Sequence, residues 1–214
     1  LEKTYKKNKI TEFEASEKLE KFRRENANFF SSSFPTISAT GANGSIIHYK
    51  PNRKSSVLKK GELYLCDSGG QYYGGTTDIT RTIYLGDEPP ETLKLIDTKV
   101  LLGHLNISML KFPAGTKGYQ LDSIARFNLW NDGLDYNHGT GHGVGSFLGV
   151  HEGPQSISKN ATNVSLKPGM IISNEPGFYK NKSFGIRIEN LVLVKKSLFN
   201  NYFEFETLSL FPYE

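Results

Sequence analysis

Apolar residues within 11–28 recur at helical spacing: Ala15, Leu19 and Phe22 make one stripe, and Glu17, Lys18, Glu20, Lys21, Arg23 and Arg24 read as a solvated face. Thr11 and Glu14 match a capping box, which predicts where this helix begins. Ser31-Ser-Ser-Phe-Pro35 breaks it. Residues 36–49 predict a strand pair around Gly41-Ala-Asn43-Gly44, closing with Ile46-Ile47-His48-Tyr49. The clearest hairpin follows: β-rich runs at Leu63–Asp67 and Thr76–Tyr84, separated by the glycine pairs 69–70 and 74–75. After Pro89-Pro90, Leu93, Ile96, Val100 and Ile107 mark a helix to about 111; His104 lies on that stripe and reads as an ordinary packed histidine with no role in chemistry. A third helix spans about 118–131, with Leu121, Ile124 and Ala125 inside, Trp130 expected in the core and Asn131-Asp-Gly133 as the stop. A polar loop at 155–168 precedes three strands, 170–175, 185–194 and about 202–210. Helices and hairpins without regular strand–helix alternation predict an α+β fold with largely antiparallel sheet.

Composition narrows the class. The 214 residues are 37% hydrophobic and 22% charged, enough for a sizeable core and typical of a globular protein. No apolar run approaches the roughly 18 residues of a membrane span, so no membrane partner is expected. The net charge of +4 would allow a polyanion, but acids and bases interleave along the chain. A mixed solvated surface, with no nucleic-acid partner, is the reading. Lone Cys66 excludes an internal disulfide framework and suits a reducing compartment. The chain opens on Leu1, so it reads as part of something longer, and targeting signals are not assessable.

Candidate chemistry concentrates in His138-Gly-Thr-Gly-His142-Gly-Val-Gly-Ser-Phe-Leu-Gly-Val-His151-Glu-Gly-Pro154. Glycines at 139, 141, 143 and 145 rule out a helix and would let backbone approach whatever the imidazoles hold. Four acids stand where acids are awkward. Asp67 ends an apolar strand, and Asp78 lies in the other arm of that hairpin. Glu175 ends Ile171-Ile-Ser-Asn174 before Pro176-Gly177, and Glu189 follows Ile186-Arg187-Ile188, on the strand face of Arg187. Several carboxylates buried together cost more than folding can supply unless cations neutralise them. Four carboxylates and one neutral imidazole would hold two divalent metals near zero net charge, with room for a bridging hydroxide. Oxygen-rich ligation favours Mn²⁺, with Zn²⁺ or Co²⁺ also able to occupy the site. Asp67-Ser-Gly-Gly70 looks like a serine-protease nucleophile segment, but only His48 precedes it, too close for that fold. The glycine run also lacks the third glycine of a dinucleotide loop.

Asp67-Ser-Gly-Gly-Gln-Tyr72, Thr77-Asp78-Ile-Thr-Arg81, the His138 and His151 segments, Glu175-Pro-Gly177 and Gly185-Ile-Arg-Ile-Glu189-Asn190 together resemble the pita-bread metallopeptidases of family M24. The match is to the eukaryotic cytosolic type of aminopeptidase P (Xaa-Pro aminopeptidase), from about residue 30 to 212. The resemblance implies a curved, mostly antiparallel sheet with flanking helices in two related halves. Residues 1–29 would be a lead-in helix from a preceding region and 30–214 the catalytic domain. It implies that Asp67 holds one metal, His142 and Glu175 the other, while Asp78 and Glu189 bridge both. The bridging hydroxide would attack the scissile carbonyl and Glu175 would exchange its proton. His48, His138 and His151 would orient the peptide and donate hydrogen bonds, and Arg187 would position acidic groups. The implied substrate is a peptide with proline at position two, the implied assembly a homodimer and the implied location the cytoplasm. Prolidase shares the ligands but cleaves only dipeptides, and non-catalytic relatives lose ligands; here all five stand.

Overall fold

The computed structural model describes residues 9–213. In chain order these form helix α1 (Glu12–Arg24), strands β1 (Phe29–Ser32) and β2 (Ile37–Thr40), and a 3-10 turn at Gly41–Ser45. Strands β3 (Leu63–Ser68), β4 (Gly70–Tyr72), β5 (Gly75–Thr76) and β6 (Ile79–Tyr84) lead to helix α2 (Glu91–Ser108), strand β7 (Lys111–Pro113) and helix α3 (Tyr119–Trp130). The remainder is strand: β8 (Gly141–His142), β9 (Ser156–Ile157), β10 (Ile171–Asn174), β11 (Gly177–Lys180), β12 (Phe184–Arg187), β13 (Asn190–Lys196) and β14 (Tyr202–Thr207). The α+β class and the antiparallel pairing expected from the pattern are what the chain adopts.

Two antiparallel sheets frame the molecule. One has the order β2-β3-β6, with Asp67 paired to Thr80 and to Ile37; the other runs β10-β13-β14-β7. A single bridge between Thr80 and Glu189 joins them. α2 and α3 cover the outer face of the second sheet, where Ile107, Ala125, Ile157, Ile172, Val192 and Val194 are fully buried. Each such aliphatic side chain contributes about 1.5–3 kcal/mol on burial, so the strands that carry the acids rest on the best-packed part of the fold.

The lead-in helix begins as predicted: the Thr11 hydroxyl accepts from Glu14 N–H, and the Glu14 carboxylate accepts from Thr11 N–H. It ends four residues early, because Asn26 turns the chain by accepting from Asn28 and Phe29 N–H. Of its stripe only Ala15 is buried, and Phe22 stands 56% exposed under the Lys18 ammonium. Residues 1–8 of the expected lead-in segment lie outside the described residues.

Three expectations fail for identifiable reasons. The strand pair at 36–49 is half right: Ile37–Thr40 pairs with β3, but 46–49 is irregular. Its amides close turns, Ile46 N–H donating to Asn43 O (3.0 Å) and Tyr49 N–H to Ile46 O (3.1 Å), and the loop is held in that form by the fully buried Glu12. Its carboxylate accepts from Thr40 N–H (2.6 Å), the Asn43 amide (3.0 Å), the Tyr49 hydroxyl (2.7 Å) and Ser56 N–H (3.2 Å). The strand expected at 185–194 breaks at Ile188-Glu189, where Glu189 N–H leaves the sheet to donate to Thr80 O. Trp130 is not core: at the end of α3 it is 45% exposed, covered only in part by Lys159. The hairpin β11–β12 had not been expected at all.

Glu12 therefore clasps the loop that carries His48. Glu12→Ala should lower stability by about 3 kcal/mol, because several buried donors lose a charged acceptor. A urea midpoint equal to wild type would show that the loop is held by other contacts.

Candidate metal centre

Between the two sheets lies a cavity of about 590 Å³, lined by Asp67, Asp78, Glu175 and Glu189 and by His48, His138, His142, His151 and Arg187. Every site residue expected from the sequence reaches this one cavity. The acids sit at element ends: Asp67 in β3, Asp78 just before β6, Glu175 just after β10 and Glu189 in the break between β12 and β13. Asp67 is held rigidly by pairing on both sides, while the other three leave their ladders, which lets four chain segments converge.

The glycines of the histidine segment act by close approach. None of Gly139, Gly141, Gly143 or Gly145 has a positive φ. A Cβ on Gly141 would lie 1.8 Å from Ser173 O, and one on Gly143 would lie 2.0 Å from Glu152 O. β8 is thereby pressed against β10, and Glu175 N–H donates to Thr140 O at 2.7 Å. His142 Nδ1–H donates to Gly143 O (3.0 Å), which turns Nε2 toward the acids. That Nε2 lies 3.2 Å from Glu175 Oε1 and 3.5 Å from Asp78 Oδ2. The Ser173 hydroxyl accepts from His142 N–H and donates to Glu175.

The donor set fits divalent cations. Ligand atoms of Asp78, His142 and Glu189 lie within 4.8 Å of one another. Asp67 receives Arg187 on Oδ2 (2.7 Å) and Glu189 receives the Thr80 hydroxyl on Oε2 (2.6 Å). Their second oxygens, Asp67 Oδ1 and Glu189 Oε1, together with Asp78 Oδ1, are buried and have no partner among the described residues. Three orphaned carboxylate oxygens in one cavity are costly in a folded protein, and a cation is what satisfies them.

The titration behaviour of these residues says the same. Burial pushes Asp78 up; the His142 bond opposes this, but the charges of Asp67 and Glu175 add to burial and bring it to about 7. Burial, then the charges of Asp78, Glu175 and Asp67, drives Glu189 well above the carboxylate range. For Glu175 burial also pushes upward, but the His142 bond and the charges of His142, His138 and Arg187 outweigh it and hold it at about 2. Burial disfavours the His142 imidazolium, yet its bonds to Asp78 and Glu175 raise it to about 11. Protons thus sit where positive charge is demanded. Burial lowers both His138 and His151.

Several positioning residues escaped the sequence reading. The Tyr179 hydroxyl lies 2.8 Å from His138 Nε2 and accepts from Arg187 Nη1 (2.6 Å), while the other arm of Arg187 holds Asp67. The Gly177-Phe-Tyr-Lys and Phe184-Gly-Ile-Arg runs around a polar turn were the overlooked hairpin signal that carries Tyr179. Behind the histidine segment, buried Arg126 pairs with Asp122 (2.6 Å) and donates to the carbonyls of Tyr136 and His138 (2.7 Å each). The Asp122–Arg126 spacing of four was legible as a helical pair; its burial was not.

The curved antiparallel architecture and the acid- and histidine-lined cavity between its sheets have the form of the pita-bread metallopeptidases. The model of metallopeptidase family M24 matches residues 1–196, and the chain belongs to that family. It is 51% identical over 212 residues to the probable Xaa-Pro aminopeptidase P of Coprinopsis cinerea, covering 95% of this chain and 34% of that protein. It is 50% identical over 210 residues to Xaa-Pro aminopeptidase 1 of Dictyostelium discoideum, covering 95% and 33%. The chain thus spans about a third of the length of these relatives. Among solved structures it resembles the X-prolyl aminopeptidase of Caenorhabditis elegans, described as a cytosolic enzyme with a di-nuclear active site. There the TM-score is 0.94 at 39% identity, over 98% of this chain and 35% of that one. It also resembles an Xaa-Pro dipeptidase from Bacillus anthracis, with TM-score 0.85 at 33% identity, over 96% of this chain and 54% of that one.

The titration pattern sets a sign for pH dependence. Folded values above the unfolded ones contribute stability that disappears with rising pH, between 3.8 and about 7 for Asp78 and between 6.5 and about 11 for His142. Below 6.5 the lowered values of His104, His138 and His151 act in the opposite sense, so the clean window is His142's: metal-free protein should melt at lower temperature as pH rises from about 7 to 9, and Mn²⁺ should stabilise it more at the higher pH. Calorimetry across that range tests this; a metal-free melting temperature that climbs with pH would contradict it.

Proposed function

We propose that this chain carries the catalytic centre of an Xaa-Pro aminopeptidase that uses two divalent metal ions. The observation that carries the reading is the clustering of Asp78, His142 and Glu189 ligand atoms within 4.8 Å, in a cavity that also holds partnerless oxygens of Asp67, Asp78 and Glu189. The relatives' names support the substrate, a peptide with proline at its second position, and the C. elegans structure's description supports two metals.

Asp67, Asp78, His142, Glu175 and Glu189 would hold the metals; the oxygen-rich set favours Mn²⁺. Bound there, the ions would act as Lewis acids and make water a nucleophile near neutral pH. The chain's own groups do the rest. Glu175, kept ionised by His142, takes up a proton and returns it to the leaving amine. His48 and His151 border the cavity with ring nitrogens that make no hydrogen bond within the described residues, and they are the donors available to peptide carbonyls. His138 has both nitrogens engaged, by Gly139 O and by Tyr179, so it shapes the cavity wall and does not donate to the peptide, contrary to the expectation from sequence. Arg187 ties Asp67 to Tyr179 and keeps both in place.

A homodimer fits the apolar side chains left exposed on α2 and α3: Leu95, Leu102, Phe127 and Trp130. A cytoplasmic location is favoured by the described nature of the C. elegans relative. No helix among the described residues is long and apolar enough to cross a membrane.

The test is release of the N-terminal residue from Arg-Pro-Pro, Arg-Ala-Ala and the dipeptide Arg-Pro by the full-length protein, with and without Mn²⁺. Metal-dependent release from Arg-Pro-Pro and not from Arg-Ala-Ala is expected. Cleavage of Arg-Pro alone would make the protein a dipeptidase, and no cleavage with metal bound would make it a binding module. Glu175→Gln should fold normally yet lose about 10³-fold or more in turnover; near-normal turnover would remove Glu175 from the mechanism.

A further inference from the structure

His104 projects from α2 into the protein interior with no exposed surface. The β10–β13 ladder ends on the register pair Asn174 and Asn190, and beyond that rung Glu175 and Glu189 leave toward the cavity. His104 meets both members of this last rung. Its Nδ1 lies 3.0 Å from Asn174 O, a carbonyl, so Nδ1 carries the proton. Its Nε2 is then an acceptor, 3.0 Å from the Tyr213 hydroxyl and 3.3 Å from the Asn190 amide nitrogen. The Asn190 amide donates to the Tyr213 oxygen (2.8 Å), which leaves the tyrosine proton for His104. One tautomer serves both ring nitrogens and the Tyr213 hydroxyl. The Asn174 amide returns a bond to His104 O (2.8 Å).

The network continues on the Glu189 side. Arg81 Nη2 donates to Asn190 Oδ1 (2.8 Å), and its Nη1 donates to the carbonyls of Glu189 (2.7 Å) and Thr80 (2.9 Å). Arg81 also holds Pro212 O (2.9 Å), anchoring the segment that delivers Tyr213. Burial, aided by the Arg81 charge, keeps the His104 ring neutral, at about 4.

We propose that His104 is a positioning residue for the metal centre: it caps the β10–β13 ladder and sets the separation of Glu175 and Glu189. The proposal rests on the reading of those glutamates as metal ligands. Two carboxylates that leave adjacent strands in opposite directions keep a fixed spacing only if the rung behind them cannot fray, and His104 with Tyr213 closes that rung.

The test is Mn²⁺ titration of the full-length, chelator-stripped protein by calorimetry, with electron paramagnetic resonance reporting whether the two ions are coupled. Wild type should take two Mn²⁺ per chain. His104→Phe, similar in volume but without the hydrogen bonds, should lower Mn²⁺ affinity about tenfold or more and weaken the coupled signal. His104→Gln, which restores a donor and an acceptor, should recover part of the loss. Tyr213→Phe, which removes one hydroxyl, should weaken binding about threefold and carries the test if His104→Phe does not fold. Leu129→Ala, destabilised in the core near α2, should melt earlier with unchanged affinity. Wild-type affinity and coupling in the folded His104 or Tyr213 variants would overturn the proposal while leaving the ligand assignment intact. A wild-type protein that does not bind two Mn²⁺, or a Glu189→Gln variant that binds them normally, would overturn both.

Discussion

Four carboxylates facing one cavity set the terms for the rest of this structure. Like charges at such separations in a low-dielectric interior repel strongly, and burial adds its own penalty to every ionised group. Arg187 answers part of the demand, held at 2% exposure with one arm on Asp67. His142 answers another part by placing Nε2 between Asp78 and Glu175. The remainder appears as oxygens without partners and as carboxylates driven toward their neutral forms. A site with this imbalance is poised for cations of higher charge than a proton.

Such a centre needs a frame that resists the repulsion. Its acids are carried at the ends of strands whose inner faces are fully buried, such as Ile172 beside Ser173 and Val192 beyond Asn190. Hydrogen-bond networks then fix the backbone on either side. Arg126 gathers the carbonyls of Tyr136 and His138 and the carboxylate of Asp122, so the glycine-rich segment cannot drift despite its composition. Arg81 gathers the carbonyls of Thr80 and Glu189, where the two sheets meet. Glu12 reverses the pattern: a buried carboxylate gathers donors from the loop that carries His48. In each case one multivalent side chain replaces a stretch of ladder, which is how irregular backbone can be buried without unsatisfied groups.

That substitution also explains where periodicity misled. The run Ile46-Ile47-His48-Tyr49 looks like a strand, but its amides close turns on Asn43 and Ile46, and the carboxylate that anchors Asn43 and Tyr49, Glu12, lies more than thirty residues earlier. The break at Ile188-Glu189 exists because Thr80, over a hundred residues away, takes the Glu189 N–H, a pairing that the local apolar pattern does not encode. Trp130 has the composition of a core residue and the position of a helix end, and position decided its exposure.

What the sequence determined by itself was therefore the chemistry and the regular elements. Residue type sets what an acid or imidazole can ligate, local spacing sets the capping box and the β3–β6 hairpin, and clustered glycines announce close backbone approach; all of these act over a few residues. Tertiary structure alone decided how four distant segments share one cavity, which oxygens of Asp67, Asp78 and Glu189 lack partners, and which side chains brace the acids and histidines from behind. Tyr179, Arg126 and His104 carry no local signature of such work, because each acts on a partner forty-one, twelve or seventy positions away. Those pairings depend on the packing of sheets and helices as bodies, which side-chain periodicity along the chain does not encode.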